Sequence, residues 1–267
     1  MTAVDLLLVG CGKMGGAMLA GWRAAGTVRR VVIVDPVAGT APEGATLVAD
    51  PAQIPADFTP TAVVLAVKPQ MMDQALPAYL PYAGRAVFLS IAAGKTVAYF
   101  QKVLGPGTAL VRAMPNTPAA VGRGISGAYA TPAVSAAQRD LCQSLLSAVG
   151  EVVWVEEEGL IDAVTAVSGS GPAYVFHLVE ALAAAGAAAG LPPDLALRLA
   201  RATVTGAGEL LHRNPDTTAT QLRINVTSPK GTTQAALDVL MDEAQGLTPL
   251  MVRAVAAADR RSRELAG

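Results

Sequence analysis

Cysteine, histidine and aromatic residues are nearly missing from this chain. Of 267 residues only two are cysteine and two are histidine, and Phe, Trp and Tyr together make up 4%. Two cysteines cannot build a disulfide framework, so Cys11 and Cys142 read as reduced thiols of a cytoplasmic protein. No metal site is expected. The formal net charge is −1 with no basic run, so the electrostatic footprint of a nucleic-acid binder is absent as well. Lysine and arginine disappear altogether from Glu156 to Asp194. Within that stretch Ala163 to Leu191 is apolar enough to raise the question of a membrane. Glu180, His177 and a break at Gly169-Ser170-Gly171-Pro172 argue against a span, and a buried helix is expected instead. The first strand begins near Asp5, too early for a cleavable leader to precede it.

What is abundant is alanine and other aliphatic residues, with 52% of the chain hydrophobic. The stretch Leu6-Leu7-Leu8-Val9-Gly10-Cys11-Gly12-Lys13-Met14-Gly15-Gly16 organises the rest. A short apolar run enters G-x-G-x-x-G and continues into Ala17-Met18-Leu19-Ala20, which reads as strand, tight turn and helix start. The first glycine permits the turn, the second lets backbone approach a pyrophosphate, and the third lets helix and strand pack closely. A second strand, Val31-Val32-Ile33-Val34, ends at Asp35, about 20 residues past the third glycine, where an acidic side chain accepts from ribose hydroxyls.

Short apolar runs then alternate with longer segments. Strands are predicted at Thr46-Val48, Ala62-Val67, Ala86-Ile91, Ala109-Arg112, Ile125-Ala130 and Val152-Val155, so a mostly parallel sheet with helices on both faces follows. Ligands bind beyond the carboxyl ends of such strands. That singles out Val67-Lys68-Pro69-Gln70, Ser90-Ile91-Ala92-Ala93-Gly94 and Arg112-Ala113-Met114-Pro115-Asn116-Thr117-Pro118, with the Asn116 amide able to serve a nicotinamide or ribose.

From Gly159 onward strands cease. Helices are predicted at Ile161-Ser168, Ala173-Gly190, Leu195-Leu211 with Asp194 as cap, and Thr248-Leu265, whose arginines form a solvated face. Ala183, Gly186, Ala187 and Gly190 share one helical face, small enough for close approach to a second subunit as well as to the same domain. The turn Ser228-Pro229-Lys230-Gly231 leads into Thr232-Thr233 and a helix over Gln234-Met241. Free N–H groups and hydroxyls converge there to form an anion trap.

Five ordered motifs, Gly10 to Gly15, Ala66-Val67-Lys68-Pro69-Gln70, Met114-Pro115-Asn116-Thr117-Pro118, Ser168 to Tyr174 and Ser228-Pro229-x-Gly231-Thr232-Thr233, resemble the Δ1-pyrroline-5-carboxylate reductase family across nearly the whole chain. The resemblance implies an α/β fold in which a Rossmann-like domain (residues 1–158) precedes an all-helical dimerisation and substrate domain (residues 159–267). It also implies reduction of a cyclic imine to L-proline with NADP or NAD. The cofactor residues are then Gly10, Cys11, Gly12, Lys13, Met14, Gly15, Asp35, Val67, Lys68, Pro69, Ala92, Ala93 and Asn116. Substrate falls to Ser228, Lys230, Gly231, Thr232 and Thr233, with Thr233 nearest the chemistry. The partners are a small-molecule substrate and further copies of the chain, in a dimer or ring of dimers, with no nucleic acid and no membrane. Lys230 departs from the family, which usually has glycine there. Asp35 departs in effect, because no Lys or Arg lies between Arg30 and Lys68 to receive a 2′-phosphate, so efficient use of NADH is expected. A 3-hydroxyacid dehydrogenase would need a lysine that the stretch from Glu156 to Asp194 lacks. A cofactor sensor without chemistry would have no use for the second anion trap.

Overall fold

A computed structural model describes residues 3–266; Met1, Thr2 and Gly267, at the outer ends of the two expected domains, lie outside the described residues. The chain forms two compact units. One runs to Ser170 and takes back the chain from Ala258, and the other is Gly171–Ala257. The first unit therefore extends past the division expected at residue 158. Its surplus is held by burial: Ile161 and Ala166 are 1% and 0% exposed, and Val164 packs against Gly127 so closely that a Cβ there would meet its side chain.

In the first unit β1 (Val4–Val9) leads through α1 (Lys13–Ala24) to β2 (Val28–Val34) and β3 (Ala45–Val48). Next come β4 (Ala62–Leu65), the short α2 (Met72–Ala75), β5 (Val87–Ser90), α3 (Val97–Leu104) and β6 (Leu110–Met114). β7 (Gly124–Ala130), α4 (Ala136–Ser147) and β8 (Gly150–Trp154) complete one eight-stranded sheet in the order β3-β2-β1-β4-β5-β6-β7-β8. β7 and β8 run opposite to the other six strands, and the one antiparallel pairing among the described residues is β6 with β7. A parallel return needs a crossover of a dozen residues or more, and only Pro115 to Arg123 separate these two strands.

The continuous apolar runs follow from burial on both faces. Leu6, Leu8, Val31, Ile33, Val64 and Leu89 pack under α1 and α4. Their neighbours Leu7, Val9, Val32, Val34, Val63 and Leu65 pack on the opposite face against Met72, Tyr79 and Phe100. The two covering helices of the first face are tied together where the Trp22 indole N–H donates to the Leu145 carbonyl at 2.7 Å. That carbonyl lies in the last turn of α4, where helix carbonyls lack intrahelical donors, so the indole supplies a missing partner.

Beyond the sheet α5 (Leu160–Val164) continues without a break into a π-helical turn (Thr165–Gly169), and α6 (Gly171–Ala188) follows directly. The Ser170 N–H donates to Thr165 O at 2.8 Å, the i→i+5 bond that absorbs one extra residue. The break expected at Gly169 to Pro172 is thus a widened turn. α6 pairs with α7 (Pro193–Arg213), followed by α8 (Ala219–Asn225), α9 (Thr232–Leu240) and α10 (Leu247–Ala266). Pro192, not Asp194, precedes α7; Asp194 sits inside its first turn and makes no cap bond, because proline already fixes the entry.

The second unit is open. No residue of α6 is fully buried within the chain, contrary to the buried helix expected. Its small face turns toward α7 of the same unit: a Cβ on Gly186 would come within 3.1 Å of the Ala196 methyl. Large residues of the helix are exposed, with Phe176 64%, Val175 45% and Leu182 42% exposed, and so are Ala181, Ala184 and Ala185. Among the described residues no helix is long and apolar enough to cross a membrane.

Replacing Trp22 by Phe removes the indole donor and strands the Leu145 carbonyl in the core. The loss should be about 1–3 kcal/mol, read as a lower urea midpoint at matched protein concentration with an unchanged slope.

Candidate active site

The switch point of the sheet lies between β1 and β4, and a cleft of about 1180 Å3 opens there. Gly10, Cys11, Gly12, Asp35, Val67 and Lys68 all line it, so the structure brings together the loops after β1, β2 and β4. Gly10 takes φ 88° and leaves room for Val67, whose backbone N would be 2.9 Å from an added Cβ. A Cβ on Gly15 would stand 2.5 Å from Gly10 O, so this third glycine sets the contact between helix and turn. At Gly12 a Cβ would meet nothing within 4 Å. Backbone there faces open space at the start of α1, whose N-terminus has no side-chain cap. Open backbone, uncapped first-turn N–H groups and a positive helix end fit a pyrophosphate.

Asp35 is held firmly at the rim. Its Oδ2 accepts from the Cys11 N–H at 2.7 Å, and its Oδ1 from Val37 and Ala38 N–H at 2.9 and 3.2 Å. Partial burial acts to raise its carboxyl, and the three N–H groups outweigh that, holding it below the ordinary carboxylate value. The site thus presents a fixed negative charge at neutral pH. In the same place burial first, and the Asp35 charge second, push the Cys11 thiol up. It stays protonated and uncharged near neutrality.

Lys13, Met14 and Gly15 lie behind the cleft in the first turn of α1 and do not line it. Pro69, Ala92, Ala93 and Asn116 are also outside its lining. Asn116 is 8% exposed and its amide is engaged: Nδ2 donates to Ser168 O at 3.1 Å and Oδ1 accepts from Ile125 N–H at 2.9 Å. It fastens the π-helical turn to β7. Sequence reasoning missed Asp50, Pro51, Gln74 and Tyr79, which the cleft includes. A readable signal existed for the first two: Asp50 and Gln53 form a capping box around Pro51–Gln53.

In the second unit the Gly231 N–H donates to Ser228 O at 3.0 Å, closing the turn before α9. Proline at its second position and φ 57° at the third, Lys230, give the pattern of a type II turn, which favours glycine at that third position. Lys230 is exposed. α9 begins at Thr232 with Gly231 as its cap and no side-chain cap bond. Neither Thr232 nor Ser228 caps this helix with its hydroxyl. Thr232 is exposed and Thr233 half-buried. First-turn N–H groups of this helix point out beyond Gly231, as an anion site requires. His177 is exposed and 3.0 Å from Glu180, a surface pair outside both sites.

A doubly covered parallel sheet with this cleft, joined to an open helical unit, defines a Rossmann-type oxidoreductase. Residues 6–94 match the family model described as NADP oxidoreductase coenzyme F420-dependent, and residues 158–265 match that described as pyrroline-5-carboxylate reductase dimerisation. The chain belongs to the pyrroline-5-carboxylate reductase family. The Pseudomonas aeruginosa enzyme of that name is 40% identical, over 100% of this chain and 98% of its own. The Mycobacterium tuberculosis one is 38% identical, over 97% and 96%. A solved pyrroline-5-carboxylate reductase from Coxiella burnetii superposes with a TM-score of 0.89 at 32% identity, covering 99% of each chain.

The left-handed backbone at Lys230 costs roughly 1–2 kcal/mol that glycine would avoid, offset by the greater freedom of glycine in the unfolded chain. Lys230→Gly is expected to stabilise the protein by about 0.5–1 kcal/mol, measured by chemical denaturation.

Proposed function

We propose that the chain is a pyrroline-5-carboxylate reductase, transferring hydride from a reduced nicotinamide dinucleotide to the imine carbon of Δ1-pyrroline-5-carboxylate and yielding L-proline, the last step of proline biosynthesis. The full-length match to curated enzymes of that name carries the reading. In the first unit the backbone of Gly10 to Gly15 would hold the pyrophosphate and Asp35 the adenosine ribose. Val67, Lys68, Pro69, Ala92, Ala93 and Asn116 lie on or behind the loops toward the nicotinamide end. When bound, the reduced nicotinamide supplies the hydride.

In the second unit the N–H groups of Thr232 and Thr233, at the helix end that follows Gly231, hold the substrate carboxylate together with the Ser228 hydroxyl. Lys230, exposed on that turn, adds attraction for an acidic ligand. The Thr233 hydroxyl is spared from capping, which leaves it to hydrogen-bond the ring nitrogen. A protonated iminium is already electrophilic, so positioning carries most of the rate and no strong general acid is needed. Thr233→Ala should lower kcat more than tenfold with the fold retained, and an unchanged kcat removes Thr233 from the mechanism.

The active species is at least a homodimer and works in the cytoplasm. The match to a dimerisation model and the exposed Val175, Phe176 and Leu182 of α6 support assembly. Light scattering showing a monomer at micromolar concentration would refute it.

NADH serves at least as well as NADPH. A solved relative from Plasmodium falciparum, 26% identical, carries NADP. Here, however, the cleft lining offers one cation, Lys68, against Asp35 and Asp50. An ionised Asp35 repels a 2′-phosphate and can still accept from ribose hydroxyls through its unused lone pairs. Steady-state kcat/KM with the two cofactors decides the matter: a tenfold preference for NADPH, about 1.4 kcal/mol, would overturn the assignment.

A further inference from the structure

Arg112 lies mid-strand on β6 and is 2% exposed. Its Nη1 donates to Glu158 Oε1 at 2.9 Å, while Nη2 makes no hydrogen bond and stands 3.9 Å from Asp162 Oδ1, an ion-pair separation. Both acids are engaged elsewhere. Glu158 Oε1 also accepts from the N–H of Val97, the first residue of α3, at 2.7 Å. Asp162 Oδ1 accepts from the Ser262 hydroxyl at 2.7 Å, in the closing turns of α10. Three residues further on, the Leu265 carbonyl lies against Gly94, where an added Cβ would be 3.0 Å away and φ is 70°.

These contacts close a circuit. Arg112 reaches Val97 through Glu158, and it reaches Gly94 through Asp162, Ser262 and the end of α10. Gly94 and Val97 bracket the far end of the segment that leaves β5 at Ser90 and carries Ala92 and Ala93. Burying a guanidinium with two carboxylates is expensive in desolvation, and apolar residues of similar volume would stabilise a core as well. A charged cluster that fixes geometry is better explained by what it aligns.

We propose that Arg112 is a positioning residue for the dinucleotide: through Glu158, Asp162 and Ser262 it fixes the segment Ile91 to Thr96 at the carboxyl end of β5, so that the nicotinamide end of the cofactor meets a preformed loop. The inference rests on reading the first unit as a dinucleotide site. Two independent readouts on the full-length protein test it, calorimetric binding of NADH and amide hydrogen exchange of residues 91–97 without cofactor. Ser262→Ala removes one arm of the circuit, and Glu158→Gln takes the charge from the other, leaving Arg112 and the Val97 N–H a weaker, neutral amide acceptor. Expected are exchange at least tenfold faster over residues 91–97, a Kd and KM for NADH raised fivefold or more, and kcat at saturating NADH within twofold of wild type. Arg112→Lys, which keeps the charge and loses the fork, should move the same quantities in the same direction; should it fail to fold, the other two variants carry the test. Exchange and Kd both within twofold of wild type in folded Ser262→Ala and Glu158→Gln overturn the proposal. If wild-type protein binds neither NADH nor NADPH, the dinucleotide reading falls and this inference with it; if it binds NADPH alone, the same measurements are read with NADPH.

Discussion

The two loops at the head of the nucleotide cleft are tied by a side-chain hydrogen bond from the Cys11 N–H to Asp35 Oδ2, joining turns 24 residues apart, beside the backbone bond from Gly10 N–H to Val34 O. It ties the glycine turn after β1 to the loop after β2, and the Val37 and Ala38 N–H groups lock the other carboxylate oxygen. Because Asp35 must stay charged to accept three N–H donors, the same bonds that shape the loop also leave a negative charge at the rim. Loop geometry and the charge at the rim therefore share a cause. A basic loop suited to a 2′-phosphate would need another device to hold Cys11.

The sheet was legible because its strands are buried on both faces, which forces unbroken runs such as Leu6-Leu7-Leu8-Val9. The glycine turn was legible for a related reason, since Gly10 and Gly15 leave no room for a side chain while Gly12 keeps its backbone open. Less could be read where a local signal has two physical readings. Gly169-Ser170-Gly171-Pro172 looks like a break, yet one i→i+5 bond turns it into a π-helical turn, and the Ser168 carbonyl four residues before Pro172 accepts from the Asn116 amide in place of the N–H that proline lacks. Asp194 looks like a cap until Pro192 is seen to precede the helix. Asn116 was chosen for an amide that can donate and accept, and it does both, but toward Ser168 and Ile125. Its chemistry could be read from sequence, while its partners depend on a chain fold that no local pattern encodes. The Arg112 circuit escaped notice for the same reason, its members being spread from residue 94 to 265.

The helical unit obeys a different constraint. Gly171–Ala257 is a thin assembly of helices, and a chain this short buries too little of its own surface to form a large core. Gly186 serves the α6 and α7 contact, where it lets Ala196 approach. Large apolar side chains such as Phe176 and small ones such as Ala181, Ala184 and Ala185 are left exposed alike. Close packing within the unit thus takes only part of the small-residue face that the sequence shows.

Lys230 joins these two themes. A left-handed residue at the third position of the Ser228–Gly231 turn aims the backbone so that Gly231 caps α9 without any side chain. Had Thr232 or Ser228 served as the cap, the first N–H groups of the helix would be partly satisfied and a carboxylate would gain less by binding. The left-handed turn and the absence of a side-chain cap belong to one arrangement, whereas the strain comes from placing a side chain at its third position. Glycine at that position would relieve the strain and keep the donors, but it would remove the one positive side chain on the turn. The lysine is worth its strain only if the ligand is an anion, which agrees with a site built for a carboxylate.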